Sequence, residues 1–138
     1  MSAHRDSDSA QFGSVRGIGV DAVDVGRFRQ VLERRPALKE RLFTSGELSY
    51  ALGTADPIAR LAARFAAKEA AMKALGLGMG GVDFAEVEVV RSQAGSPSLA
   101  LHGRAITRAA ERGVRRWHLS LTHTDLVAIA GVVAVAGP

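Results

Sequence analysis

Residues 64–76 read RFAAKEAAMKALG, and this stretch decides the fold because it is an alanine-rich helix that ends at a glycine. At about 100° per residue, its bulky apolar side chains fall on one stripe. The stripe consists of Leu61, Phe65, Met72 and Leu75. Arg60, Arg64 and Lys68 are predicted to form a basic edge beside it. The pattern therefore predicts a long central helix with one face in the core.

Glu69 and Lys73 lie beyond the apolar stripe, next to small alanines that allow close packing. We therefore expect the Glu69 carboxylate to face a junction or cleft. A Glu and a Lys four apart on a helix are most often a solvated pair that contributes about 0.2–0.5 kcal/mol. This pair alone does not establish a site.

A second informative segment reads GIGVD from Gly17 to Asp21. Strand alternation sends Ile18 and Val20 to one face, and the glycines and Asp21 to the other. Glycines inside a strand tend to mark a bulge or the close approach of a ligand, which would leave Asp21 accessible. A simple turn-forming stretch is the alternative. The dinucleotide-binding pattern G-x-G-x-x-G is not completed at position 22.

A third segment reads LSLTHTD from Leu119 to Asp125 and leads into an apolar run from Leu126 to Ala136. It predicts two strands that meet at a polar turn, with His123 at the end of the first. A single histidine at a strand end is more often structural than catalytic.

The three segments, in this order, resemble the motifs of the holo-acyl-carrier-protein synthases, the small bacterial group of 4′-phosphopantetheinyl transferases. The similar motifs are GIGVD with Arg27-Phe28, RFAAKEA with Lys73-Ala74-Leu75-Gly76, and SLTHT at 120–124. Glu47 and the turn Gly95-Ser96-Pro97 also look like family features, and the similarity spans roughly Val15 to Val135.

The resemblance implies an α+β fold in which a mostly antiparallel sheet packs with a long central helix. It implies transfer of the 4′-phosphopantetheine arm of coenzyme A to a serine of apo-acyl carrier protein, with release of adenosine 3′,5′-bisphosphate, in support of fatty acid synthesis. It also implies a homotrimer with active sites between neighbouring subunits.

The resemblance also assigns roles to residues. Asp21, Glu69 and Lys73 are the expected catalytic residues. Asp21 and Glu69 would bind Mg²⁺ or Mn²⁺, because hard carboxylate oxygens suit these ions, and Lys73 would contact the phosphates. The expected contacts to coenzyme A are Arg64, Lys73, Gly76, His123 and Thr124. The base for the serine proton stays open between Glu69, a water on the cation, and Asp24.

The charge distribution indicates a partner. The net charge is +4, and residues 27–41 carry six basic side chains against Glu33 and Glu40. Acyl carrier proteins are strongly acidic, so the resemblance favours docking of the carrier through Arg27 and Arg34. A solvated helix face is the plain alternative.

Two other functional classes are weaker. A small basic nucleic-acid-binding protein would fit the charge, but the aromatic residues are scattered and do not interleave with the basic helix. A catalytically silent relative is disfavoured by the intact Asp21, Glu69 and Lys73.

Composition and length limit the class of protein. The chain has no cysteine, which excludes disulfides and thiolate chemistry and fits a reducing compartment. The N-terminal residues lack an apolar signal-peptide core, and Leu126 to Ala136 is too short to cross a bilayer. We expect a soluble cytoplasmic protein that binds neither membrane nor nucleic acid.

A chain of 138 residues supports one modest core. We expect a disordered tail or cloning remnant at 1–14 and a single domain at 15–138. The predicted elements are a strand near 15–21, helices over about 25–35, 44–52, 57–76 and 103–112, strands around 86–91 and 98–102, and a final hairpin.

The last strand is apolar at nearly every position, so both of its faces should be covered. A subunit interface is the expected cover for the second face, with Val132 or Val133 as the positions to test.

Overall fold

The computed structural model of the chain describes residues 14–78 and 81–137. The predicted tail therefore lies outside the described residues, apart from Ser14. Within these ranges, no helix combines the length and apolar character needed to span a membrane. The elements are β1 (Val15–Asp24), α1 (Val25–Arg34), α2 (Leu38–Leu42), α3 (Ser45–Leu52), α4 (Pro57–Ala74), a 3-10 turn (Phe84–Glu86), β2 (Val87–Arg91), β3 (Pro97–Leu101), α5 (Arg104–Glu111), β4 (Arg116–His123) and β5 (Val127–Val135).

The strands form two antiparallel sheets, one with the order β1-β5-β4 and one formed by β2 and β3. Helix α4 packs on the three-stranded sheet, mainly against β1 and β5. The predicted α+β class, with antiparallel strands around a long central helix, is confirmed. The register aligns Asp21 with Ala130 and Ala130 with Leu121 across the three strands.

The glycines of β1 allow helix α4 to lie directly on the strand. A Cβ atom at Gly17 would overlap the carbonyl oxygen of Ala74, and one at Gly19 would overlap that of Ala70. The missing side chains therefore admit a helix, and the interpretation that they admit a ligand is wrong. The β1–β5 ladder also shifts register between Val15 and Gly17, as a bulge would.

Local signals set both ends of α4. The Asp56 side chain accepts the backbone N–H of Ala59 at 3.2 Å, and proline occupies the first turn. At the other end, Gly76 has φ of +69°. The backbone N–H of Leu77 reaches the carbonyl of Met72 at 2.9 Å, which closes a Schellman turn. The predicted boundaries of the helix are confirmed.

Lys68 is fully buried, which corrects the predicted basic edge. Its ammonium group lies 2.7 Å from Glu47 Oε1 and donates to the carbonyls of Phe84 at 3.0 Å and Val87 at 2.7 Å. All three donors of the lysine are therefore used. Glu47 Oε2 also accepts the N–H of Val89 at 2.9 Å, so this ion pair joins α3, α4 and the start of β2.

The outer face of the three-stranded sheet, which points away from α4, is apolar and open. Ile18 is 67% exposed, Val20 60% and Ile129 38%. Val133 lies on the same face and is half-buried. Val132 points the other way and is only 1% exposed. A charge at Val132 would therefore disrupt the core, and Val133 is the position that tests the outer face.

The contact between β1 and α4 makes a clear prediction for Gly19→Ala. The added methyl group meets backbone, which cannot rotate away, so we expect a loss of about 1–3 kcal/mol of unfolding free energy. Urea denaturation measures this loss. Gly26→Ala is the control, because its Cβ would meet only the Asp24 side chain at 3.5 Å and should change stability little. Equal stability of the Gly19→Ala variant and the wild type would contradict the packing.

Candidate active site

Asp21, Glu69 and Lys73 come together where β1 crosses α4. Asp21 lies on the face of β1 that packs on the helix, in line with Gly19, and Glu69 and Lys73 lie one turn apart on the helix. The Lys73 ammonium donates to Asp21 Oδ1 at 3.0 Å and to the Val20 carbonyl at 3.2 Å. The expectation that Glu69 faces a junction is confirmed.

The carboxyl group of Asp21 changes the pKa of Glu69. Burial of Glu69 and the adjacent Asp21 carboxyl, which accepts a hydrogen bond from protonated Glu69, raise the pKa of Glu69 to about 7. Lys73 acts in the opposite direction. When both groups are ionised, Asp21 Oδ2 is buried without a hydrogen-bond partner. A cation between the carboxylates would satisfy this oxygen and relieve the repulsion.

The donor set of the site fits magnesium. No group of three or more His, Asp or Glu residues converges among residues 14–78 and 81–137. Two carboxylates are enough for Mg²⁺, which usually keeps waters and takes substrate phosphates in its remaining positions. Asp21 and Glu69, with the unsatisfied Asp21 Oδ2, are compatible with such an ion.

A cavity of about 260 Å³ opens beside the carboxyl pair. It is lined by Glu69, Met72, Lys73, Leu77, Gly78, Val82 and Phe84. The wall is apolar except for Glu69 and Lys73. The apolar wall suits an uncharged group, and the ammonium of Lys73 suits an anionic end on that group. Gly76 ends the helix just before Leu77 and Gly78, so it shapes this wall through the backbone.

Arg64 faces a different cavity of about 160 Å³. It is lined by Tyr50, Arg60, Arg64, Arg91, Gly95, Pro97 and Leu121. Glu69 is five positions after Arg64, which is about 140° around a helix. Leu121 is also two strands away from Asp21. Within one chain, Arg64 is therefore not part of the carboxylate site.

His123 and Thr124 lie at the β4–β5 hairpin and are exposed. Thr124 Oγ1 accepts the backbone N–H groups of Leu126 and Val127, both at 3.1 Å. The hairpin also reaches the end of β1, because the Leu126 carbonyl accepts the backbone N–H of Val25 at 3.0 Å. His123 ends β4, which lies two strands from β1, and neither His123 nor Thr124 lines the cavity beside Glu69.

Asp24 is the last residue of β1, and the basic helix α1 follows it directly. Asp24 Oδ1 accepts the backbone N–H of Arg27 at 2.8 Å and caps α1. Phe28 and Leu32 bury one face of α1, while Arg27 and Arg34 are exposed. The sequence predicted this amphipathic helix, and its charged side is open to a partner.

Sequence reasoning missed two residues of the Arg64 cavity, Tyr50 and Arg91. It also missed the burial of Lys68. The contact of Tyr50 with Arg91 joins α3 to β2, a pairing that no local pattern encodes. The capping box of Thr44 and Glu47 was predicted and is present, but it gave no sign that Glu47 also binds Lys68.

The chain resembles known proteins over most of its length. The family model described as "ACPS: 4′-phosphopantetheinyl transferase superfamily" matches residues 17–128. The holo-[acyl-carrier-protein] synthase of Streptomyces avermitilis is 49% identical over 121 residues, which is 88% of this chain and 98% of the relative.

Solved structures share the fold. The holo-[acyl-carrier-protein] synthase from Neisseria meningitidis has a TM-score of 0.80 and 32% identity, and the match covers 87% of this chain and 98% of that one. The synthase from Bacillus anthracis, solved in complex with CoA (3′,5′-ADP), has a TM-score of 0.73 and 32% identity, over 89% and 98% of the two chains.

Proposed function

The chain belongs to the 4′-phosphopantetheinyl transferase superfamily, and on that premise we propose that it is a holo-acyl-carrier-protein synthase. It transfers the 4′-phosphopantetheine arm of coenzyme A to a serine of apo-acyl carrier protein. One observation carries the proposal: Asp21, Glu69 and Lys73 meet at the mouth of a largely apolar cavity. The cavity suits the pantetheine arm, and the charged end suits its phosphate.

The reaction exchanges a phosphoanhydride bond of coenzyme A for a phosphoester bond to the carrier serine. The serine Oγ of the carrier forms a bond to the phosphorus that bears the pantetheine arm, and the bond from this phosphorus to the bridging oxygen of the pyrophosphate breaks. The bridging oxygen leaves on adenosine 3′,5′-bisphosphate, and the serine proton passes to a base. Lys73, whose side chain is 57% exposed, can donate to the phosphate oxygens.

The structure supports Glu69 over Asp24 as the protein base. Glu69 lines the cavity, whereas Asp24 lies outside it and uses Oδ1 to cap α1. Asp21 and Glu69 are the residues that would hold a magnesium ion. A divalent cation there neutralises charge on the pyrophosphate.

The proposed assembly is a homotrimer with sites shared between subunits. Arg64 lies about 140° around α4 from Glu69, and His123, with Thr124 directly after it, ends β4, two strands away from Asp21. They can contribute to a site with Glu69 only if they come from a neighbouring copy. The open apolar face with Ile18, Val20 and Ile129 supports such contacts, because exposed apolar patches commonly mark interfaces.

The proposed carrier surface is the exposed basic side of α1. Arg27 and Arg34 lie there without a salt bridge to a carboxylate of the described residues, so they are available to an acidic partner. The nucleic-acid alternative gains no support from the relatives, which are named as synthases. The cytoplasmic location stays a prediction.

A direct test of the proposed function is to incubate the protein with coenzyme A, Mg²⁺ and an apo-acyl carrier protein. The carrier should gain the mass of one phosphopantetheine group, measured by intact mass spectrometry. No gain with several apo-carriers would refute the proposal.

Asp21→Asn and Glu69→Gln should each lower transfer by more than about a hundredfold, because even indirect partners of a bound metal contribute about ten- to a hundredfold. Calorimetry should show weaker Mg²⁺ binding in both, with melting temperatures close to the wild type. Glu111→Gln, an exposed change on α5, is the control. Near-normal turnover by either site variant would contradict the metal pair.

The double variant Arg27→Glu, Arg34→Glu should weaken carrier binding roughly tenfold and flatten its salt dependence, since exposed charges act mainly on encounter. Coenzyme A binding should change little. Arg112→Glu with Arg115→Glu makes the same change in charge at other exposed positions. Equal weakening of carrier and coenzyme A affinity would show that α1 does not serve docking.

Val133→Asp should dissociate the oligomer and abolish transfer together, because a charge on the outer sheet face must be desolvated in the interface. Sedimentation and the carrier mass assay measure the two losses. Ile106→Asp, at a 55% exposed position on α5, is the control. A folded Val133→Asp monomer with full activity would exclude a shared site.

A further inference from the structure

The Arg64 cavity is strongly cationic. Arg60, Arg64 and Arg91 all line it, and within residues 14–78 and 81–137 none of the three forms a salt bridge with a carboxylate. Three guanidinium groups around about 160 Å³ repel one another unless an anion lies between them. The cavity therefore has the charge of a site for a small anion.

Arg64 is buried, and one of its N–H groups has no hydrogen-bond partner. It is only 5% exposed, and its Nε atom is buried without a hydrogen-bond partner. Buried N–H groups are almost always paired, so the unpaired Nε of this cavity-lining arginine leaves donor capacity that the chain itself does not use. Burial lowers the pKa of Arg64, although Tyr50 and Glu47 oppose this effect.

Tyr50 is the residue that supports two of these arginines. The Arg64 guanidinium lies 4.2 Å from the centroid of the Tyr50 ring, and that of Arg91 lies 5.2 Å from it. Arg91 also donates a hydrogen bond to the Tyr50 hydroxyl. Glu47 lies one turn earlier on α3, where its ion pair with Lys68 fixes the helix that carries the ring.

We propose that Tyr50 is a positioning residue, whose ring and hydroxyl hold the guanidinium groups of Arg64 and Arg91 so that they bind a phosphate group of the nucleotide half of coenzyme A. This inference rests on the proposed function, which makes coenzyme A the ligand. Arginines that are already held in place lose less side-chain freedom on binding, so affinity for the phosphate rises. Because this phosphate does not react, the effect falls on binding of coenzyme A and leaves the chemical step unchanged.

The test compares Tyr50→Leu, which removes ring and hydroxyl, with Tyr50→Phe, which keeps the ring. Calorimetry gives the Kd for coenzyme A and for 3′-dephospho-coenzyme A, and steady-state assays give KM and kcat. Tyr50→Leu should raise the Kd and KM for coenzyme A about three- to thirtyfold with kcat nearly unchanged. Tyr50→Phe should raise them less, by about threefold. Ser49→Ala, an exposed neighbour on α3, should match the wild type.

The second ligand identifies the phosphate. If the arginines hold the 3′-phosphate, the effect of Tyr50→Leu disappears with 3′-dephospho-coenzyme A, and if they hold the pyrophosphate, it persists. Either result supports the positioning role. A wild-type Kd for both ligands in Tyr50→Leu would overturn it, as would a fall in kcat alone.

The experiment also gives a decision if Tyr50→Leu does not fold, and it distinguishes failure of the Tyr50 role from failure of the proposed function. If Tyr50→Leu does not fold, a wild-type Kd for coenzyme A in Tyr50→Phe overturns the role. If the wild type binds coenzyme A in a Tyr50-dependent way but modifies no apo-carrier, the proposed function fails while the role of Tyr50 stands.

Discussion

The buried ion pair between Lys68 and Glu47 is the constraint on which the rest of the structure depends. Breaking such a pair by removing one partner typically costs about 3–5 kcal/mol, because the remaining charge stays buried. The pair fixes α3 to α4, and it fixes both to the segment around Phe84. Phe84 lines the cavity beside Glu69, and α3 carries Tyr50 into the other cavity. The ion pair between Lys68 and Glu47 therefore fixes the position of one lining residue in each cavity, Phe84 in the first and Tyr50 in the second.

Helix α4 separates the two sites while it supplies residues to both. The β1 glycines bring its backbone onto the sheet, and this close contact brings Asp21 next to Glu69 and Lys73. Arg64 lies on another side of the same helix. A rigid helix cannot turn both groups toward one ligand, so the division follows from the spacing of the residues. The open apolar sheet face and the divided site are the two observations that support the proposed shared-site assembly.

Local signals made much of the fold predictable. Proline at position 57 and Gly76 mark the ends of α4, because both act through their own backbone geometry. The burial of Lys68 was not predictable, since its partner Glu47 is 21 residues away in the chain. A helical wheel shows which way a side chain points, but it does not show how deeply the side chain is buried. The pattern at Gly19 showed that a side chain was missing, but it could not show what fills the space. The prediction that Asp21 lies next to Glu69 rested on the resemblance to a family, because the spacing of the two residues in the sequence does not indicate it.

The contrast between the two lysines of α4 has a chemical consequence. Amine-modifying reagents react only with an uncharged, accessible amine nitrogen. The side chain of Lys68 is 0% exposed, so its amine is not accessible to such reagents. The Lys73 side chain is 57% exposed and lines a cavity of about 260 Å³. Acetylation or a reactive ester should therefore mark Lys73 and spare Lys68, although the two share one helix. The fold thereby keeps one amine buried against Glu47 and leaves the other open to covalent chemistry.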